Sequence, residues 1–188
     1  MKLIQTCIPD VVIIEPAVYT DARGWFMESF NQAKFQVALK ELGLPVPSAF
    51  IQDNHSYSSK GVLRGLHFQC APHAQGKLVR VVRGSVFDVA VDIRPSSPTY
   101  LQWVGAELSG DNNRMMWIPE GFAHGFVALE DHTHFLYKTT GYYNKESEGA
   151  LHWNDPKLSI KWPGFIDYNV SDKDDEAPGV ESLSVIIE

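Results

Sequence analysis

The chain has 188 residues with 16 Lys and Arg against 23 Asp and Glu, a formal charge of −7 that leaves no overall field to draw it onto nucleic acid or an anionic bilayer. With 44% hydrophobic and 12% aromatic residues it is a core-forming globular sequence, which excludes disordered, collagen-like and coiled-coil classes and leaves any anionic ligand to local cations. We read it as a single domain over 1–188 with 175–188 as a tail, located in the cytoplasm: no apolar run approaches the about eighteen residues of a membrane span, and Met1–Asp10 does not read as a signal peptide. Cys7 and Cys70 are too few for a disulfide framework and lack metal-ligand spacing.

Short runs rich in Val, Ile, Phe, Trp and Tyr, punctuated by 14 Gly and 11 Pro, predict an all-β protein closed as a sandwich or barrel. A first strand is expected over 11–15. One helix follows over 32–42, where Phe35, Leu39 and Leu42 recur at helical spacing, Asn31 can cap the start, and Gly43 with Pro45 stops it. Strands are then expected over 49–53 and 62–69. Leu78–Ile93 reads as a hairpin turning at Arg83-Gly84-Ser85, its second arm setting Phe87, Val89, Val91 and Ile93 towards the core against Asp88, Ala90 and Asp92. Further strands are expected over 101–108, 114–118, 124–129 and 133–139. Ser171–Glu176, followed by Ala177-Pro178-Gly179, is polar enough to be a solvated turn, loop or tail.

Several residues could carry chemistry. Arg64 and His67 would fall on opposite faces of a regular strand, but Gly65 between them can mark a bulge that turns both into one cavity; the alternative is a surface cation and a satisfied interior histidine. Alternation through Lys77, Val79 and Val81 places the ammonium at the end of a buried face, where it meets an anion or snorkels to the rim. In Pro119-Glu120-Gly121-Phe122-Ala123-His124 the turn residues aim His124 to a defined side of the next strand. Tyr137 shares a face with Thr133 and Phe135, as packing or as a reagent. His55, His67, His73, His124, His132 and His134 raise the question of a metal. The sequence keeps Gly61, His67, Pro119, Gly121 and His124 of the metal-binding cupin pattern, but Phe68 and Ala128 occupy ligand positions and the expected Glu is missing. His132-Thr133-His134 reads as surface.

Asp21–Phe30, Gln52–Ser56, Gly61–Gln69, Gln75–Arg80, Trp117–Phe126 and Tyr137-Lys138 occur in the order and near the spacing of the dTDP-4-dehydrorhamnose 3,5-epimerase family, which the chain resembles from about residue 10 to about 178. The resemblance implies a cupin-like jelly roll with one or two short peripheral helices, no metal or organic cofactor, and a homodimer that exchanges N-terminal strands; the net charge and the lack of a long apolar run leave no nucleic-acid or membrane partner expected. It implies a dTDP-sugar substrate, dTDP-4-dehydro-6-deoxy-α-D-glucose, inverted at C3 and C5 by enolisation. By the same resemblance His67 is the base, Asp174 its orienter, Lys77 the cation for the enolate oxygen and Tyr137 the proton donor. Arg23, Arg64, His124 and Lys173 would hold the diphosphate and sugar, and Glu28, Gln52, Asn54 and Glu148 the base and sugars. A sibling that inverts one carbon or moves the ketone, a sugar-binding module without turnover, and a metal-dependent cupin oxygenase stay open as alternatives.

Overall fold

The computed structural model describes residues 1–164 and 167–183. Two antiparallel sheets face each other. The larger has six strands in the order β1 (Lys2–Gln5), β2 (Val12–Glu15), β10 (Met115–Ile118), β7 (Lys77–Arg83), β12 (Thr133–Thr139) and β5 (Gln52–Ser58). The smaller has five: β13 (Glu148–Ala150), β6 (Leu63–Gln69), β11 (Phe122–Ala128), β8 (Ser85–Asp92) and β9 (Trp103–Ser109). This is the expected all-β jelly roll. β3 (Val18–Asp21) and β4 (Gly24–Met27) form a separate two-stranded ribbon.

Three apolar layers hold the sheets. Between them, Val79, Val81 and Phe135 of the larger sheet meet Val86, Ala90, Phe122 and Phe126 of the smaller. On the outer face of the larger sheet, α1 (Gln32–Glu41) lays Phe35 and Leu39 against Val12, Ile14, Leu78, Met115 and Trp117. The helix starts where Asn31 accepts a hydrogen bond from the Lys34 amide at 3.1 Å and stops before Gly43, whose φ of +70° suits glycine, as its sequence predicts. On the outer face of the smaller sheet, Leu66, Phe68, Val89, Val91 and Ile93 pack against Leu151, Leu158, Val180 and Leu183.

The sheet order and this third layer correct four expectations. Residues 78–93 are no hairpin: β7 and β8 belong to different sheets, and the chain crosses between them at Gly84. A side chain at Gly84 would come within 2.4 Å of Thr133 Oγ1, so the crossover is closed to larger residues. β8 is covered on both faces, so Phe87, Val89 and Val91 point to the outer layer while Asp88 and Ala90 point between the sheets. The expected tail from 175 also packs, through Val180 and Leu183, with the Val180 amide donating to Asp155 at 2.9 Å; residues 184–188 lie outside the described residues. The polar run before it is not solvated throughout, because Asp172–Asp175 forms a one-turn helix, α2, that buries Asp174.

The strand expected at 49–53 lies at 52–58. Its inward positions are Gln52, Asn54 and Ser56 and its outward ones Asp53, His55 and Tyr57, so no apolar period marks it. β1, β3, β4 and β13 fall outside the expected strands for the same lack of signal. Among the described residues no helix is long and apolar enough to cross a membrane.

Candidate active site

A cavity of about 340 Å³ opens between the sheets. On β6, Leu66 and Phe68 face the outer layer, which sends His67 inward. Opposite β11 the register places His67 against His124 but Arg64 against Phe126, one residue more on β6 than on β11, and this bulge brings both Arg64 and His67 to the same cavity. Gly65 allows it: a β-carbon there would lie 2.5 Å from the Gly125 α-carbon and 2.8 Å from the His124 carbonyl oxygen, and its φ is +125°. Arg64 is an exposed cation and His67 is half-buried, but the two are not unrelated, since both line this cavity.

His67 Nε2 lies 2.7 Å from Asp174 Oδ1, and Asp174 Oδ2 accepts from the Gly65 amide at 3.1 Å. Burial opposes the ionised carboxylate, but the hydrogen bonds from His67 and Gly65 outweigh it and hold Asp174 below the usual carboxylate range. Ser171 caps α2 by accepting from the Asp174 amide, which fixes the turn that carries this side chain; Asp172 and Asp175 on the same turn are exposed. A carboxylate so placed fixes the imidazole's orientation and tautomer.

From the facing sheet come Lys77 and Tyr137, on neighbouring strands β7 and β12. Lys77 is buried, donates to the His67 carbonyl at 3.0 Å, and is pushed down to about 8 by burial, against the opposing charges of Asp88 and Glu148. Burial raises the Tyr137 phenol, with the Arg64 charge acting the other way, so it remains a proton donor at neutral pH. His124 Nε2 lies 3.1 and 3.0 Å from the two oxygens of Asp88, a carboxylate with no solvent exposure. Burial pushes Asp88 up and His124 down, so the enclosed pair favours its neutral form. At the rim Lys173 Nζ meets Glu148 Oε2 at 2.7 Å, and the Tyr143 hydroxyl donates to the same oxygen at 3.2 Å.

Eight of the twelve expected site residues thus share one cavity: His67, Tyr137, Asp174, Lys77, Arg64, His124, Glu148 and Lys173. Four stand apart. Arg23 is paired with Asp21 at 2.6 Å on the exposed β3–β4 ribbon, and Glu28 with Lys34 at 2.8 Å beside α1. Gln52 donates to Asn54 at 3.0 Å and accepts from the Tyr143 amide at 3.1 Å, so the two brace the rim from behind. Asp88 and Tyr143 line or support the cavity without a signal in the sequence that singles them out; simple alternation sets Asp88 on the wrong face of β8, and Tyr143 lies in a loop with no pattern. Among the described residues no group of three or more His, Cys, Asp or Glu is arranged to hold a metal. His55 pairs with His134 and Tyr57 with His132 outside the cavity, as the surface reading of His132 and His134 expects.

An imidazole on one sheet with its carboxylate on α2, a phenol on the other sheet and an ammonium beside it define an acid–base isomerase on a jelly-roll scaffold. Residues 5–182 match the model of the dTDP-4-dehydrorhamnose 3,5-epimerase family. The chain is 56% identical over 178 residues to the dTDP-4-dehydrorhamnose 3,5-epimerase of Salmonella typhimurium, covering 95% of this chain and 94% of that one. It superimposes with a TM-score of 0.92 and 48% identity on the dTDP-6-deoxy-D-glucose-3,5-epimerase of Legionella pneumophila in complex with dTDP-4-keto-L-rhamnose, covering 99% and 96% of the two chains. A 3′-monoepimerase of Streptomyces bikiniensis in complex with dTDP-quinovose is more distant, at 29% identity and a TM-score of 0.88 over 97% and 89% of the chains. The chain belongs to the dTDP-4-dehydrorhamnose 3,5-epimerase family.

Proposed function

We propose that this protein inverts C3 and C5 of dTDP-4-dehydro-6-deoxy-α-D-glucose, giving dTDP-4-dehydro-β-L-rhamnose for dTDP-rhamnose synthesis, with His67 and Tyr137 as base and acid. The observation that carries the assignment of roles is that these two side chains project from facing sheets into one cavity. His67 takes the proton from a carbon next to the C4 ketone, the C–H electrons move into the ring, and negative charge collects on O4. Lys77, itself buried, supplies the positive charge that stabilises this oxygen. Tyr137 returns a proton to the same carbon from the other side, its phenolate is reprotonated from solvent, and the His67 imidazolium releases its proton to solvent before the second inversion. Both inverted carbons adjoin C4, so one base, one acid and one cation serve twice. Arg64, Lys173 and His124 hold the diphosphate and sugar.

The β3–β4 ribbon supports a homodimer. Tyr19, Trp25 and Phe26 on it are 67%, 57% and 69% exposed, an apolar surface that a second copy would cover. In the dimer Arg23 and Glu28 reach the partner's cavity, which accounts for their distance from their own. We place the activity in the cytoplasm, a location that fractionation of expressing cells tests.

The test is turnover in deuterated water with deuterium counted at each ring carbon. The wild type should label C3 and C5, His67→Ala should lose both label and product, and Tyr137→Phe should retain exchange at a carbon while completed inversion stops. Wild-type turnover in either variant overturns the role assigned to that residue. Label at a single carbon in the wild type would make the protein a mono-epimerase.

A further inference from the structure

We infer that Ser56 is a substrate-contacting, specificity-determining residue whose hydroxyl hydrogen-bonds a hydroxyl of the hexose on the side of the ring that Tyr137 faces; the inference rests on the cavity being the epimerase site. On β5, the alternate positions that face inward carry polar side chains. Gln52 bonds Asn54, and Ser58 Oγ accepts from Arg64 Nε at 3.2 Å. Ser56, between them, is the exception: its Oγ is shielded from water and has no hydrogen-bond partner among the described residues. A serine hydroxyl in that state is a deficit that a natural core rarely keeps, and a ligand is one way to make it good.

The place of Ser56 says which ligand group. It lines the cavity with Arg64 and Tyr137, opposite Phe135 in the β5–β12 register, one inward step from the Asn54 and Tyr137 pair. Diagonal neighbours of this kind in an antiparallel sheet are about 7–8 Å apart, within the span of a single sugar ring. Phe135 stacks on Phe126 at 4.2 Å, so this stretch of wall is otherwise apolar, and a sugar hydroxyl against it gives up water for no return unless Ser56 meets it. The residue as a whole is half-buried and lines the cavity, and its Cα–Cβ bond has three staggered positions in which to present the oxygen to a ligand. A serine can both donate to and accept from a hydroxyl, whereas a phosphate oxygen only accepts and already has Arg64 and Lys173 at hand.

The experiment compares wild type, Ser56→Ala and Ser56→Cys for melting temperature without ligand, affinity for dTDP, affinity for dTDP-L-rhamnose, and kcat/KM. Because Ser56 Oγ has no hydrogen-bond partner to lose among the described residues, the Ala variant should melt no lower than wild type and bind dTDP equally well. Its affinity for dTDP-L-rhamnose and its kcat/KM should fall about two- to tenfold, the range of one neutral hydrogen bond, and Cys, matched in size but a weak donor, should fall alike. Unchanged kcat/KM, a lowered melting temperature, equal loss of dTDP and dTDP-sugar binding, or full rescue by Cys would each overturn the inference. His67→Ala run alongside separates the two levels: if it turns over normally, the reading of the cavity fails and takes Ser56 with it, while an inactive His67→Ala beside a wild-type-like Ser56→Ala removes the inference alone.

Discussion

Replacing Asp174 by Asn tests how the base is held. In the wild type Oδ2 accepts from the Gly65 amide at 3.1 Å and Oδ1 lies 2.7 Å from His67 Nε2. The carboxylate accepts a hydrogen bond from Nε2–H, which leaves Nδ1 as the basic nitrogen. The Gly65 N–H can only donate, so the substituted side chain must give it the amide oxygen, and the amide NH₂ then faces Nε2. The imidazole responds with the other tautomer, protonated at Nδ1 and without a free lone pair for the sugar. A wrong tautomer in a triad carries a loss of about 10⁴ in kcat, and we expect about 10³–10⁴ here, equivalent to about 4–5.5 kcal/mol of barrier. The assays are kcat on the dTDP-sugar, dTDP affinity, which should not change, and the ¹⁵N shifts of His67, which should report the exchanged tautomer. The Asp174 carboxyl is held low in the folded protein, so its stabilisation is present above the ordinary carboxylate pKa and lost as pH falls through the folded value. Asp174→Asn should flatten that acid limb when melting temperature is followed against pH. A variant with near wild-type kcat, or one with lost activity but an unchanged His67 tautomer, refutes the reasoning.

The remaining predictions concern the cation, the buried pair and the bulge. Lys77, pushed down to about 8, must be protonated to stabilise the enolate, so kcat/KM should fall as pH rises past about 8; Lys77→Arg should remove that limb, and Lys77→Gln should lower kcat about 10²–10³-fold at neutral pH. If Lys77→Arg keeps the same limb, another group is responsible for it. Asp88→Ala leaves the neutral His124 imidazole buried without its hydrogen-bond partner and should cost about 1–3 kcal/mol in chemical denaturation; a variant of wild-type stability would show that the pair holds nothing. Gly65→Ala drives a β-carbon into Gly125 and His124 and should lose about 3 kcal/mol or more, with the Arg64 and His67 side chains no longer sharing a cavity; a stable, active variant would mean that the bulge can be built without glycine.

What can be read from the sequence follows from which physical signals survive in it. The helix at 32–41 is legible because one face alone is buried and both ends carry their own stop signals. Lys77 and Tyr137 are legible by counting in twos from Val79 and Phe135, since the register is regular from the Phe135–Val81 pair to the Thr139–Lys77 pair. The bulge at Gly65 is legible as a possibility and needs the register with β11 to fix it. β8 misleads because alternation reads as core against water, whereas here it is one buried layer against another; Asp88 therefore looks solvated and is wholly enclosed. β5 is polar on both edges of its pleat and gives no period at all, which conceals Ser56. Asp174 comes from the family resemblance alone, since nothing local distinguishes it from Asp172 and Asp175; only the wrapping of a distant segment singles it out.

That wrapping has an effect on how the enzyme can fail. The stretch that seals the back of the five-stranded sheet with Leu151, Leu158, Val180 and Leu183 also delivers the carboxylate to His67. Peeling it away would strip the reagent of its alignment while the β-sandwich behind the pocket still stood. Heat or a nearby lesion should therefore silence turnover a few degrees before the bulk of the β signal disappears, and the gap between those two temperatures measures how firmly the strap is fastened.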